Sequence, residues 1–111
     1  MFIRLFAYAD NERTAKSIAN DVLSSLARCI DKVDYVSCEP YWKIDGTYKI
    51  EMSIVFVNQL TDSQFHSFMN DVSDKWLFFG SPPDELLASD TTEGCSYIKT
   101  GVSLINVFLN D

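Results

Sequence analysis

Asp45-Gly46 stands between residues 33–44 and 47–58, two runs rich in β-branched and aromatic side chains. In that setting Asp-Gly is the strongest short-range signal for a β-hairpin. The pair constrains the chain because it decides which faces of two strands are apolar. On the second strand Tyr48, Ile50, Met52, Ile54 and Phe56 alternate with Lys49, Glu51 and Ser53, the period-two pattern of a strand with one buried face. On the first, Val36, Cys38, Trp42 and Ile44 form the matching set. A two-residue loop pairs Ile50 with Tyr41 and turns Val36 to the wrong face, since a slip of one residue exchanges the faces. A three-residue loop, Ile44-Asp45-Gly46 with Gly46 left-handed in a bulge, pairs Ile50 with Pro40 and Ile54 with Val36. The bulged loop keeps both apolar sets together and is the one expected.

Upstream, residues 2–9 alternate Ile3, Leu5 and Ala7 with Phe2, Arg4, Phe6 and Tyr8. Both sets are largely apolar, which describes a central strand covered on one face and partly on the other. Asp10 is the expected cap of a first helix, whose stripe is Ala15, Ile18, Ala19, Val22, Leu23, Leu26, Ala27 and Ile30, opposite Lys16, Asn20 and Ser24. Burying Ile18, Val22, Leu23 and Leu26 stabilises by ~1.5–3 kcal/mol each before ordering entropy is subtracted. Leu23→Asp is therefore expected to unfold the domain and Ser24→Asp to leave it folded.

Downstream, Thr61-Asp62-Ser63-Gln64 is a capping box that starts a second helix at Asp62, with Leu60 placed to staple onto Phe65. Phe65, Phe68, Met69 and Val72 form its buried stripe, and Asp62, His66 and Asn70 share the opposite face, flanked by Asp71 and Asp74. Residues 75–79 read as a short strand ended by Gly80. Ser81-Pro82-Pro83-Asp84 reads as a cap opening about one helical turn, anchored by Leu86 and Leu87. Residues 89–94 are a polar acidic loop, and residues 97–109, with a turn at Thr100-Gly101, return as a final strand or pair of strands.

The order β-α-β-β-α-β with an extra C-terminal strand predicts an α+β, ferredoxin-like (split βαβ) two-layer sandwich, with two helices on one face of an antiparallel sheet. Right-handed crossovers place the first strand beside the third. The open face then carries Phe6, Tyr8, Tyr35 and Tyr41 among Arg4, Lys43, Lys49 and Glu51. A chain of 111 residues, 47% hydrophobic, is expected to be one domain over residues 1–111. Such a chain buries roughly 65% of its unfolded surface and needs no staple. Cys29, Cys38 and Cys95 are widely spaced without a C-x-x-C, and residue 1 leads straight into a strand rather than a signal peptide. Reduced thiols in the cytoplasm are expected. With His66 the one histidine, no zinc site and no cofactor are expected. No apolar run approaches the ~20 residues of a membrane span.

The net charge of −7 opposes phosphate binding, because affinity for nucleic acid rests on Lys and Arg neutralising backbone charge. An aromatic open face could stack RNA bases, but residues 49–56 lack the glycine-and-aromatic pattern of RNA-recognition domains. His66 lies four residues from Asp62 and from Asn70, a spacing open to a carboxylate-oriented base. No nucleophile elbow or phosphate loop accompanies it, and a solvated histidine is the reading adopted. Trp42 and Trp76 read as core aromatics of strands.

The acidity is regional. Residues 1–58 hold seven basic and eight acidic groups, whereas residues 59–111 hold two basic and eight acidic, a net of −6. Asp62, Asp71, Asp74, Asp84, Glu85, Asp90 and Glu93, with Leu86 as an apolar anchor, are the candidate partner-binding residues. Such a surface reads either as a solvated face that keeps a small protein soluble or as an interface that steers a basic protein and then holds it. In size, acidity, layout and want of a catalytic motif, the whole chain resembles the small acidic immunity proteins that protect bacteria from the toxins of contact-dependent growth inhibition systems. The resemblance implies tight binding to a cognate basic toxin domain, often a nuclease, blocking its active site or substrate surface. It carries no residue over by motif, so the candidate residues rest on charge. The alternatives are an enzymatic or small-ligand domain and a homo-oligomer, such as a homodimer, that uses the open sheet face.

Overall fold

The computed structural model describes residues 1–109. Its elements are β1 (Phe2–Tyr8), α1 (Glu12–Leu23), a 3₁₀ turn (Ser24–Leu26), β2 (Ile30–Pro40), β3 (Thr47–Phe56), α2 (Asp62–Val72), β4 (Leu77–Gly80), β5 (Pro83–Ser89) and β6 (Val102–Phe108). The architecture is α+β: one six-stranded sheet in the order β2-β3-β1-β6-β5-β4, every neighbouring pair antiparallel, and two helices. β1 lies beside β3, as the crossover rule requires. The core follows from alternation. Ile3, Leu5 and Ala7 of β1, Ile50, Met52 and Ile54 of β3, Ile105 and Val107 of β6, and Leu86 and Ala88 of β5 are all buried. They share one cluster with Ala15, Ile18, Ala19, Val22 and Leu23 of α1 and Phe68, Met69 and Val72 of α2.

The β2–β3 hairpin forms and Gly46 is left-handed at φ +75°, but its loop is longer than expected. Pairing ends at Pro40↔Tyr48, and residues 41–46 make the connection, closed by the Tyr41 N–H donating to Thr47 O at 2.8 Å. Ile50 therefore faces Cys38 rather than Pro40, and Ile54 faces Val33 rather than Val36. The shift of two residues preserves the faces near the loop. A register break between Tyr35 and Ser37 then extrudes Val36 and turns Tyr35 to the helix side, where Lys16 of α1 sits 4.9 Å from its ring. Tyr35 thus leaves the open face to which alternation assigned it. Trp42 and Ile44 lie in the loop, and Trp42 is 82% exposed. Trp76 is buried just before β4 rather than within a strand, its indole N–H shared between Met69 O and Ser73 O.

Helix boundaries follow their caps. Asn11, not Asp10, caps α1, accepting from the Thr14 N–H at 2.8 Å. α1 ends at Leu23, Ala27 is exposed, and Ile30 opens β2 instead of extending the helical stripe. The capping box of α2 forms as read, with Thr61 and Gln64 exchanging bonds at 2.9 and 3.1 Å.

The largest departure is at residues 81–89, where a turn at Ser81 and Pro82 leads into the strand β5 (Pro83–Ser89) and not into a helical turn. Gly80 supplies φ +98° at the turn between β4 and β5, and a Cβ there would meet the Asp84 carboxylate at 2.5 Å. The adjacent leucines then point to opposite faces. Leu86 is 1% exposed and paired with Val107, while Leu87 pairs with Leu77 and Asn106 on the other side. Two strands, β5 and β6, thus follow β4 where one extra C-terminal strand is expected. β6 takes the place beside β1, and the chain before it, residues 95–101, runs along the end of α2, with Ile98 bridged to Ser73.

Candidate interaction surface

The face of the sheet opposite the core cluster is built by the residues that alternate with it: Phe2, Arg4, Phe6 and Tyr8 of β1, flanked by Leu104, Asn106 and Phe108 of β6 and by Lys49, Glu51 and Ser53 of β3. Its aromatic groups pack on one another. Phe2 and Phe108 lie 5.9 Å apart, Tyr41 meets the edge of Phe6 at 5.0 Å, and Arg4 lies over Phe108. The 41–46 loop folds over part of this face, buries Thr47 and leaves a depression of about 230 Å³ lined by Phe6, Tyr41, Ile44, Thr47, Ser103 and Leu104.

The charges at the centre of this face satisfy each other. Glu51 accepts from Arg4 at 3.1 Å and from the Ser37 hydroxyl at 2.9 Å, and Lys49 lies between Glu51 and Glu39 at 3.8 and 3.5 Å. Burial alone would raise the Glu51 carboxyl. Ser37, Arg4 and Lys49 together outweigh burial and hold it below the ordinary range. The cluster ties β2, β3 and β1 across three strands.

The candidate acidic residues do not gather on one surface. Asp71 and Asp74, near the C-terminal end of α2, fasten the segment leading to β6. Asp71 pairs with Lys99 at 2.7 Å, and Asp74 accepts from the backbone N–H groups of Ser96 and Tyr97 at 2.9–3.1 Å. The Tyr97 N–H first, with Ser96, holds the Asp74 carboxyl below its usual range against a smaller opposing desolvation. Asp62 lies in the first turn of α2. Glu85 and Asp90 belong to the open face, where Glu85 accepts from the Asn106 amide at 3.1 Å and Asp90 from the Tyr8 hydroxyl. Asp84 alternates to the other side of β5. Asp62, Asp84 and Glu93 have no side-chain partner among the described residues. Leu86 is a core residue, so it does not serve as a surface anchor.

The apolar contact residues lie instead on β4, where Leu77, Phe78 and Phe79 are 38%, 57% and 45% exposed. Leu77 and Phe79 pair with Leu87 and Glu85 on the open face, and Phe78 pairs with Leu86 on the other. Fully covering one such side chain is worth ~1.5–3 kcal/mol. The unbroken apolar run of residues 76–79 was a visible signal, but such a run reads equally as a buried strand.

His66 is exposed, and no group of three or more His, Cys, Asp or Glu residues among those described is arranged to hold a metal ion. Cys29, Cys38 and Cys95 are free thiols. Burial first, then Glu12, pushes the Cys38 thiol up, against Lys16. Among the described residues no helix is long and apolar enough to cross a membrane. Comparison with family models, curated proteins and solved structures finds no match.

Proposed function

We propose that this chain is an inhibitory binding module, an immunity protein of the kind found in contact-dependent growth inhibition. In this reading it acts in the cytoplasm, holds a basic toxin domain, and covers that domain's active site or substrate surface without catalysis of its own. The observation that carries the reading is the meeting of an uncharged apolar edge, Leu77, Phe78 and Phe79, with the carboxylates of Asp84 and Glu85 on the adjoining strand. Charge brings a basic partner in, and exposed aromatic side chains hold it. The scaffold we assign is ferredoxin-like. The order β2-β3-β1-β6 with α1 and α2 supports a split βαβ unit, to which β4–β5 adds a hairpin. The test is coexpression with the C-terminal domain of an exported protein encoded by the adjacent reading frame. Restored growth and a one-to-one complex are expected; persistent growth arrest with no complex contradicts the reading.

The exposed β4 residues also favour a second reading, a homodimer. The −6 net charge of residues 59–111 opposes it, because two copies joined at β4 bring these acidic halves together. Asp111, one of those charges, lies outside the described residues. Sedimentation equilibrium separates the two readings.

A further inference from the structure

We propose that the partner docks as an added strand: an extended segment of alternating apolar and basic residues pairs with the outer edge of β4 and continues the sheet. This rests on the binding reading above and deepens it by naming where the partner sits and in what conformation. The sheet ends at β4, so one side of that strand's backbone has no neighbouring strand among the described residues. Such an edge is a template for another chain, main-chain bonds supplying affinity and alternate side chains specificity.

Three residues of β4 make this edge suitable on both faces of the sheet. An added strand lies against Leu77 and Phe79 on the open face and against Phe78 on the helix side, and all three are exposed as they stand. β4 contains no charged residue, and its register with β5 is regular from Leu77 to Phe79. It therefore lacks the charges and mid-strand bulges that discourage edge pairing.

Charge selects the occupant. Glu85 and Asp84 lie on β5, the next strand in, with Glu85 opposite Phe79 on the open face and Asp84 on the reverse. The incoming strand lies two strand spacings from them, about 10 Å, a span that a Lys or Arg and a carboxylate side chain bridge between them. Basic residues on either face of the segment thus find a carboxylate. A second copy of this chain would present its own uncharged β4 and bring no cation to Asp84 and Glu85, so a basic chain is favoured over self-pairing.

The test titrates the whole protein, observed by amide NMR, with a blocked peptide of alternating lysine and valine. One control carries glutamate in place of lysine, and another is N-methylated at alternate amides to remove strand pairing. The expected result is shifts centred on Leu77, Phe78, Phe79 and Gly80, weakened about tenfold or more by the Phe78→Lys/Phe79→Lys double substitution, with little response to either control. Shifts centred on β2 or the helices, equal binding of the glutamate peptide, or no binding at millimolar peptide overturns the proposal. So does a dimer, in the absence of peptide, whose β4 amides are protected. The parent protein alone supplies the mapping, so a variant that fails to fold does not leave the question open. No toxin enters the titration, so its failure is distinct from failure of the growth-protection assay.

Discussion

At one end of the sheet, β2 carries Asp31, Lys32, Asp34 and Glu39, breaks register between Ile30 and Lys32 and again between Tyr35 and Ser37, and ends at Pro40. At the other end, β4 is Leu77-Phe78-Phe79-Gly80, without a charge and regular until its last residue. Charges, bulges and proline are the devices by which sheet proteins keep an edge from pairing. β2 uses all three, although it is the longer strand and offers the longer template. β4 uses none of these within Leu77, Phe78 and Phe79, and its one guard is its shortness, four residues. The difference teaches that the two edges of one sheet are built unlike, β2 with charges, register breaks and a proline and β4 without them.

The most severe way to break the comparison is from beneath β4. Leu86 pairs with Phe78 yet lies in the core, so Leu86→Ala is expected to lower unfolding free energy by about 2–5 kcal/mol. An unfolding curve within about 0.5 kcal/mol of the parent would show that the hairpin is not packed as described. Charge reversal acts on association instead. Replacing Asp84, Glu85, Asp90 and Glu93 with Lys is expected to slow binding of a basic partner from ~10⁸ toward ~10⁵–10⁶ M⁻¹s⁻¹ at low salt. Surface plasmon resonance at two salt concentrations checks this. Equal rates for parent and variant at low salt would reduce the acidity to a solubilising role.

The closed edge can be opened. Deleting Val36, the extruded residue, lets Tyr35↔Met52 and Ser37↔Glu51 follow without a break. β2 then becomes a straighter template, and concentration-dependent association by sedimentation velocity is expected to rise. Unchanged association would mean that the β2 charges suffice. The mildest effect is on acid stability. Glu51, which joins β2 to β3 and β1, has its pKa lowered from the ordinary 4.5. A depressed folded pKa contributes stability that is present above the unfolded value and is lost as pH falls through the folded one. Glu51→Gln is expected to flatten the acid limb of stability below about pH 4.5, as read by denaturant titration across pH. An acid limb identical to the parent's would place the linkage elsewhere.

Much of the fold was legible where alternation or a cap acts locally. Ile50, Met52 and Ile54 face inward, Thr61 and Gln64 close their box, and Gly46 is left-handed. What was not legible depended on distant contacts. Nothing local distinguishes an extruded Val36 from a buried one, and that single bulge moved Tyr35 to the other face. Leu86-Leu87 reads as one helical face until Val107 and Leu77 claim opposite sides of β5. The acidic half was legible as charge but not as a surface. Asp71 and Asp74 spend their carboxylates on Lys99 and on the Ser96 and Tyr97 backbone, and no sequence spacing announces that.

Hydrogen–deuterium exchange in the complex with the coexpressed toxin domain tests the asymmetry of the two edges most directly. Amides of Leu77, Phe78, Phe79 and Gly80 are expected to gain protection on binding, while those of Asp31, Lys32, Asp34 and Glu39 exchange as in the free protein. Protection gained along β2, with β4 exchanging unchanged, would contradict the account.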